Sequence, residues 1–395
     1  MNIVKLLLIL SLASIIPGQL IRIPISEGAA YITLSDIFIF VTVIVFLVHT
    51  FLIRKSLKLN PRVFLPVLIF SLVALASTTL AKVNLSQKEV LISLLFLARF
   101  ILYFFIFIVT SNTIAKNKIT SWLNIYLIVG LIFILAGFLQ IIFLPDFTPL
   151  VPFGWDPHQR RLASTFLDPN FAGGLIALLF FTATVMYLER AEKLYFLMSL
   201  VSFVALVLTF SRSSYLALLA GLLVIGLLKS RNALLIFLIA FSISFFALSP
   251  VRARILGAFT LDETSEARIE SWKNAVTIFK DNPIFGVGFN SYRFAQARYN
   301  LFPHDNPLGG HSGAGSDSSI LLVAATTGII GLVPFICLFF SMFVEFTKSK
   351  KAIGLIGTAA LASLVIHSQF VNSLFFPQLM LSYWFILGLA TTYDN

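Results

Sequence analysis

The chain has few charged residues: lysine, arginine, aspartate and glutamate together make up 11% of its 395 positions. Soluble domains carry about a quarter charged residues, so this sequence has too little polar surface for a water-soluble fold. Hydrophobic residues make up 58% of the chain, and the mean hydropathy is +0.97. Its long, unbroken apolar runs argue against a transmembrane barrel, whose strands alternate in polarity. The sequence therefore predicts a polytopic, all-α integral membrane protein.

Cysteine and metal-binding motifs are also scarce. The single cysteine, Cys337, lies in an apolar run, which excludes a disulfide framework and a cysteine-based metal site. The sequence has no DxD, HExxH or Cys/His cluster, so we predict neither a metal site nor a cofactor. The net charge of +11 is spread over small loop clusters, which argues against a nucleic-acid partner.

Apolar runs predict about 12 transmembrane helices, with an error of about one or two, since the first and last runs are short. The first run could instead be a signal peptide, but no small-residue cleavage site follows it, so an uncleaved span is favoured. The predicted spans are Val4–Ile16, Ile37–Ile53, Val63–Ala81, Val90–Val109, Trp122–Leu144, Phe171–Leu188, Leu194–Phe210, Ser214–Leu228, Ala233–Leu248, Ile320–Phe346, Ile353–Phe370 and Leu379–Thr392.

The orientation follows from the loops. One alternate set of connections holds about 13 lysines and arginines, against roughly six in the opposite short loops. The positive-inside rule therefore places both termini in the cytoplasm and the Leu144–Asn170 connection outside. Residues 250–319 then form one large extracytoplasmic loop, with short amphipathic helices, within a single membrane domain of residues 1–395.

Two outer segments place arginines near the membrane surface. Arg212 lies in a tight hairpin between two spans, either as a helix-end anchor or as a functional residue. Ser265 is predicted to cap a helix that ends at Asn282-Pro283 and carries Trp272 at headgroup depth on its apolar face. Arg268 on this helix either serves the site or pairs with a neighbouring charge or a lipid phosphate.

The glycine-rich segment Gly309–Asp317 contains His311, a natural proton acceptor near neutral pH. The alternatives are a plain linker with an exposed histidine, and His304 as the competing base. Within the membrane, Arg99 either helps to hold an anionic headgroup or pairs with Asp36. Three further polar residues near the ends of predicted spans are interpreted as packing or interface residues: His49, His367 and Asn372.

Several short motifs occur in a fixed order. They are Arg161-Leu162-Ala163-Ser164-Thr165-Phe166-Leu167-Asp168-Pro169-Asn170, Thr209-Phe210-Ser211-Arg212, Arg268-Ile269-Glu270-Ser271-Trp272, Pro283-Ile284-Phe285-Gly286-Val287-Gly288, His311 and Gly328-Ile329-Ile330-Gly331. Together they resemble the O-antigen ligase and O-antigen polymerase superfamily of bacterial membrane glycosyltransferases. The resemblance covers about Arg161 to Phe340. Two departures are Ser164, where the family often has glycine, and Asp317 or Ser318, where it often has a His-Asn pairing.

The resemblance implies a GT-C-like fold in the bacterial inner membrane, among membrane lipids, with an active site on the extracytoplasmic face. Its donor would be an undecaprenyl-diphosphate-linked glycan, and its acceptor a lipid-linked saccharide. By this analogy Arg212 and Arg268 clamp the diphosphate without a metal, and His311 accepts the acceptor's proton, so transfer inverts the anomeric centre. The implied substrate-binding residues are Arg161, Asn170, Trp272 and Arg99.

Two other functions stay open at the level of the sequence. A transporter or flippase of lipid-linked saccharides suits twelve spans, although symmetric halves and helices broken at mid-depth are not evident. A non-catalytic scaffold of polysaccharide export would tolerate loss of its polar residues. Convergence of Arg212, Arg268 and His311 on one outward cavity would favour the enzyme. The sequence does not separate a ligase from a polymerase.

Overall fold

The computed structural model describes residues 3–26, 30–54, 56–81, 83–302, 315–349 and 352–393. Helices dominate this part of the chain, with one β-hairpin near the N-terminus. The helices are α1 Ile3–Ala13, α2 Leu34–His49, α3 Pro61–Thr79, α4 Gln87–Thr113, α5 Ile119–Phe143, α6 Pro169–Arg190, α7 Lys193–Leu208, α8 Arg212–Leu228, α9 Arg231–Ala247, α10 Ser249–Phe259, α11 Glu263–Asp281, α12 Tyr292–Arg298, α13 Ser319–Lys348, α14 Ala352–His367 and α15 Pro377–Ala390. The strands are β1 Arg22–Ser26 and β2 Ala30–Thr33.

Each of the twelve predicted spans overlaps a helix, so the α-helical membrane class is confirmed. Among the described residues, six helices are long and apolar enough to cross a membrane: α2, α3, α4, α5, α6 and α13. The pair α9 and α10 would add a seventh if it is one span bent by 94°. The other five apolar helices, α1, α7, α8, α14 and α15, have 10–17 residues. The count of twelve crossings therefore stays a prediction.

The interior is built around α6 and α15, whose side chains are buried on nearly every face. Helices α5, α7, α8 and α14 pack around α6, while α15 packs against α4. Aromatic rings fill this interior, as where Trp384 meets Phe104 edge to face at 5.1 Å. Hydrocarbon supplies no hydrophobic drive between helices, so close packing of this kind holds the bundle together.

A small antiparallel hairpin, β1–β2, departs from the purely helical prediction. It joins α1 to α2, and its register pairs Ile23 with Ile32 and Pro24 with Tyr31. Isoleucines alternate with polar residues and proline in Arg22–Ser26, and this period of two is the sequence signal for a strand. The first connection is therefore a folded element that positions Arg22 and Tyr31.

The glycine at Gly328 breaks α13 with φ 63° and ψ −168°, a conformation open to glycine alone. The segment Pro283–Gly288 lies against this break, and side chains beyond hydrogen at Gly286 or Gly328 would collide with the facing backbone. Backbone bonds replace the interrupted helical ones: Val287 N–H to Ala325 O at 3.0 Å, Gly288 N–H to Thr326 O at 3.0 Å, and Ile329 N–H to Pro283 O at 2.8 Å. Two motifs, far apart in sequence, therefore form one interlocked element.

Candidate active site

Connections from across the chain meet around one polar cavity of about 310 Å³. Its walls come from the β1–β2 hairpin, α4, the α5–α6 connection with the start of α6, α11, α12, the residues before α13, and the α14–α15 connection with the start of α15. The polar residues among its lining are Gln19, Arg22, Tyr31, Thr33, Arg99, Asp156, Asp168, Asn170, Arg268, Arg293, Ser316, Asp317 and Asn372. Because four arginines and three aspartates line it, the cavity suits a charged, oxygen-rich ligand.

Arg268 is the predicted catalytic residue that the structure places on the cavity wall. Its guanidinium lies 5.9 Å from the centre of the Phe370 ring, and its Nε is buried with no hydrogen-bond partner among the described residues. Burial lowers the pKa of Arg268, while Asp317 opposes the fall. A buried N–H without an acceptor carries a desolvation cost, which an oxygen of a bound ligand would remove.

Arg212 stands behind the wall instead of on it. Its guanidinium forms an ion pair with Asp262 and also donates to the Ser265 hydroxyl. Asp262 is the N-cap of α11, since its carboxylate accepts from the backbone N–H of Ser265 at 3.0 Å. The predicted cap at Ser265 was therefore wrong: a carboxylate three residues earlier takes that role, and the helix begins at Glu263. Arg212 thus fixes the start of the helix that carries Arg268.

Arg161 and Asn170 connect the Arg161–Asn170 motif to the hairpin before α8. The Arg161 guanidinium is buried and donates from Nε to the carbonyl of Thr209 at 2.9 Å and from Nη2 to Phe210 O at 3.3 Å. The Asn170 side chain accepts from the hydroxyl of Ser211 at 2.8 Å, and Asn170 also lines the cavity. Of these two predicted ligands, Asn170 reaches the cavity, whereas Arg161 holds the backbone of the hairpin that presents Arg212.

Asp317 lines the same cavity as Arg268, and the charges of the two groups interact. Its backbone N–H donates to Ser271 Oγ at 2.9 Å, which anchors it to α11. Burial raises the pKa of Asp317 to about 6, a rise that Arg268 opposes and Asp168 and Asp156 support. A carboxylate that titrates near the working pH of a cell is suited to accept a proton.

The remaining two predicted ligands have different surroundings. Arg99 lines the cavity and forms a bidentate ion pair with Asp36, in which the Nε–Oδ1 and Nη2–Oδ2 distances are both 2.9 Å. Pairing with Asp36 was one of the two alternatives that the sequence left open. Trp272 packs its ring 5.7 Å from that of Phe370, and its indole N–H is buried without a partner among the described residues. Ala275 and Ile278 of α11 pack against α13, and the position of Trp272 at headgroup depth stays a prediction.

Sequence reasoning missed several cavity residues, among them Arg22, Arg293 and Asn372. Arg22 lies between the rings of Tyr31 and Trp155, with its guanidinium carbon 4.4 Å from each centroid. Arg293, on α12, has a pKa lowered by burial. Asn372 had been interpreted as a packing residue. The sequence did contain a signal for the two arginines. Each is the one cation in a short, mainly apolar or aromatic run: Arg22 in Arg22–Ser26 and Arg293 in Ser291–Phe294.

A potential cation-binding group adjoins the cavity. Asp156, His158 and Asp168 each place one donor atom within 4.8 Å of the others. However, Asp168 caps α6 through the N–H of Asn170 at 2.7 Å, and Arg161 Nη1 lies 3.4 Å from His158 Nδ1. Burial, and after it the charge of Arg161, lowers the pKa of His158 to about 4. A positive charge so close opposes a metal ion, so these residues fit an internal hydrogen-bonding cluster better.

The two histidines considered as bases, His311 and His304, lie outside the described residues, together with the glycines around them. The described chain resumes at Gly315, on the cavity wall and next to Asp317. Of the three residues expected to converge, Arg268 lines the cavity, Arg212 does not line it and pairs with Asp262, and the position of His311 stays a prediction.

We expect Arg212 and Asp262 to act as one unit. Replacing either with alanine should lower activity by about tenfold or more, because the start of α11 loses its anchor and Arg268 shifts. The double variant should be little worse than the worse single one, and a double-mutant cycle on kcat/KM measures this coupling. If Arg212 acts only by touching the substrate, Asp262→Ala will be nearly silent and the two losses will add.

Comparison with known families gives one match and one absence. Residues 197–336 match the family model described as O-antigen ligase. The matched segment runs from α7 into α13 and contains the motifs at Thr209–Arg212, Arg268–Trp272, Pro283–Gly288 and Gly328–Gly331. Among curated proteins, none matches the chain.

Proposed function

We propose that this chain transfers a glycan from undecaprenyl diphosphate to a hydroxyl group of a lipid-linked acceptor, a proposal supported by the match of residues 197–336 to the O-antigen ligase family model. The observation that carries the proposal is the buried Nε–H of Arg268 on the cavity wall, which has no acceptor among the described residues. A diphosphate leaving group supplies the oxygens and the negative charge that this position lacks.

In this mechanism the acceptor hydroxyl attacks the anomeric carbon as the bond to the diphosphate oxygen breaks. Negative charge accumulates on the leaving diphosphate, and Arg268 stabilises it, with Arg212 fixing the helix from behind. The attacking hydroxyl loses its proton to a base, and direct displacement inverts the anomeric configuration. His311 is the base implied by the family pattern, and Asp317 is the base that the described cavity offers.

The arrangement argues for an enzyme over a transporter. Most of the cavity's lining comes from connections between helices, from the β1–β2 hairpin and from the first residues of α6 and α15, while α4 contributes Phe96 and Arg99, α11 contributes Arg268 and α12 contributes Arg293. Secondary transporters place their binding site near the bilayer midplane, between discontinuous helices. The connections that meet here belong to the set with fewer positive charges, so we assign the cavity to the extracytoplasmic face of the bacterial inner membrane and both termini to the cytoplasm.

A purified sample in detergent with EDTA tests the function. It is supplied with undecaprenyl-diphosphate-linked oligosaccharide and candidate acceptors, and the products are resolved by size. We expect transfer: one mass shift on a lipid-anchored core identifies a ligase, and a ladder of repeat lengths identifies a polymerase. Absence of product with every acceptor, together with glycan movement across proteoliposomes, would overturn the proposal in favour of a flippase.

The base can be identified from the pH dependence. If Asp317 accepts the proton, kcat/KM is constant above its pKa of about 6 and falls tenfold per pH unit below it. Asp317→Asn should then remove this limb and lower the plateau about 10²-fold or more. His311→Ala is the matched comparison: if it abolishes activity while Asp317→Asn keeps the limb, His311 is the base and Asp317 only orients Arg268.

A further inference from the structure

Two glutamines connect the packed interior to the wall of the cavity. Gln378, at the start of α15, is fully buried, while Gln19, in the connection between α1 and β1, is half-buried and lines the cavity. One hydrogen bond joins their side chains, in which Gln19 Nε2 donates to Gln378 Oε1 at 3.1 Å. Both residues lie outside residues 197–336, the segment that matches the O-antigen ligase family model, so the family match assigns them no role.

The other contacts of Gln378 fix the orientation of its amide. Its Nε2 donates to the carbonyl of Gly18 at 3.2 Å and lies 3.5 Å from the hydroxyl of Ser35. A carbonyl oxygen can only accept, so the NH2 end of Gln378 must face Gly18 and its Oε1 must face Gln19. Reversing the amide would bring two carbonyl oxygens together in the buried interior. Gln19 must therefore present its own NH2 group to Gln378.

The backbone of Gln19 is held as well. Its N–H donates to the carbonyl of Thr165 at 2.9 Å. The residue before it, Gly18, has φ 52°, and a Cβ there would lie 2.8 Å from the ring of Phe166, so only glycine lets the two connections pack this closely. With the backbone and the side-chain NH2 both fixed, the Oε1 of Gln19 remains, and it has no hydrogen-bond partner among the described residues.

An amide oxygen limits the kind of group that it can bind. It accepts hydrogen bonds and carries no net charge, so it suits a hydroxyl or an N–H donor and disfavours the oxygens of an ionised diphosphate. Three aromatic rings line the same cavity, and the ring of Phe376 lies 4.1 Å from that of Phe171 and 5.0 Å from that of Phe166. A sugar ring matches both features, because its hydroxyls donate and its C–H groups pack on aromatic rings.

We propose that Gln19 accepts a hydrogen bond from a hydroxyl group of the substrate's saccharide, and that Gln378 is a positioning residue that fixes the direction of the Gln19 amide. This inference rests on the proposed function and deepens it, because it gives the saccharide a neutral contact separate from Arg268. A sugar without that hydroxyl leaves the Gln19 oxygen unpaired, so the contact contributes to the choice of sugar. The hydroxyl belongs to the donor or to the acceptor, and the experiment separates the two.

Binding measured without turnover tests the contact. The purified full-length protein, in a detergent without a sugar headgroup, is titrated with undecaprenyl diphosphate with and without its oligosaccharide, and with a lipid-anchored core with and without its sugars. Gln19→Met keeps the length of the side chain and removes the amide. We expect it to reduce the affinity that the sugar adds to one of these ligands by about tenfold, which identifies the saccharide that Gln19 binds.

The sugar-free ligands are the internal control. Their affinities should change by less than about twofold in Gln19→Met. An equal loss with and without sugar, or no loss at all, would overturn the contact. Gln369→Met is the matched variant: this half-buried glutamine donates to the carbonyl of Val365 at 2.9 Å and does not line the cavity, so all four affinities should stay near wild type.

The role of Gln378 is tested by a pair of substitutions. Gln378→Met frees the Gln19 amide to turn, so the sugar-dependent gain should fall as in Gln19→Met, and the double variant should be no worse than Gln19→Met. Gln378→Glu should retain most of the gain, because burial keeps its carboxyl neutral and a neutral carboxyl can donate to Gly18 and accept from Gln19. Losses that add, or equal losses in both Gln378 variants, would overturn the positioning role.

The outcomes separate this inference from the proposed function. Sugar binding that Gln19→Met weakens, in a protein that transfers no glycan, would keep the contact and overturn the enzyme. Transfer that proceeds with wild-type kcat and KM in Gln19→Met would keep the enzyme and overturn the contact.

Discussion

Replacing Arg268 with alanine is expected to lower kcat for glycan transfer by about 10²–10³-fold, the usual effect of removing one preorganised donor from a developing negative charge. The side chain lines the cavity, and its Nε–H has no acceptor in the described chain, so the substitution removes a group reserved for ligand. Arg268→Lys should recover only part of the loss, because an ammonium cannot offer two parallel donors to a diphosphate.

The control is Arg298→Ala. Arg298 lies on α12. It pairs with Glu89 at the surface and does not line the cavity. Its loss should leave kcat within about twofold, as is usual for a surface ion pair. Equal losses in the two variants, or full activity of Arg268→Ala, would contradict the assignment of Arg268 to the site.

The class of protein could be predicted from the sequence because hydrocarbon enforces helices, and long apolar runs record that constraint. The helix ends within the polar segment were harder, since Asp262 and Ser265 are both good caps, and in the structure Asp262 accepts from the backbone N–H of Ser265. The β1–β2 hairpin was missed because its strands are short and a twenty-residue apolar window passes over them.

The candidate site was predicted in part for similar reasons. Arg268 and Asn170 belong to short motifs and were found, whereas Arg22 and Arg293 lie on elements about 270 residues apart in sequence. Nothing local predicts that the hairpin and α12 share a cavity wall. Arg161 is the opposite case. Its motif predicted a substrate-binding residue, but its guanidinium donates to the carbonyls of Thr209 and Phe210.

Substituting Gly328 with alanine is expected to destabilise the protein by about 3 kcal/mol or more, through backbone strain together with a steric clash. The residue has φ 63°, and an added Cβ would lie 2.1 Å from the carbonyl oxygen of Ile284. That oxygen belongs to the backbone, so no side-chain movement can relieve the clash. The break in α13 would close or shift, and the contact with Pro283–Gly288 would be lost.

Two controls separate strain from simple crowding. Gly137→Ala, in α5, meets the Leu162 side chain at 2.8 Å with an ordinary helical backbone, so it should cost less. Ser77→Ala removes a hydroxyl at 2.6 Å from Phe285 O and Thr326 O and should cost about 1 kcal/mol. Apparent melting temperature in detergent should therefore fall most for Gly328→Ala. A wild-type melting temperature for Gly328→Ala would mean that α13 can form this break without its glycine.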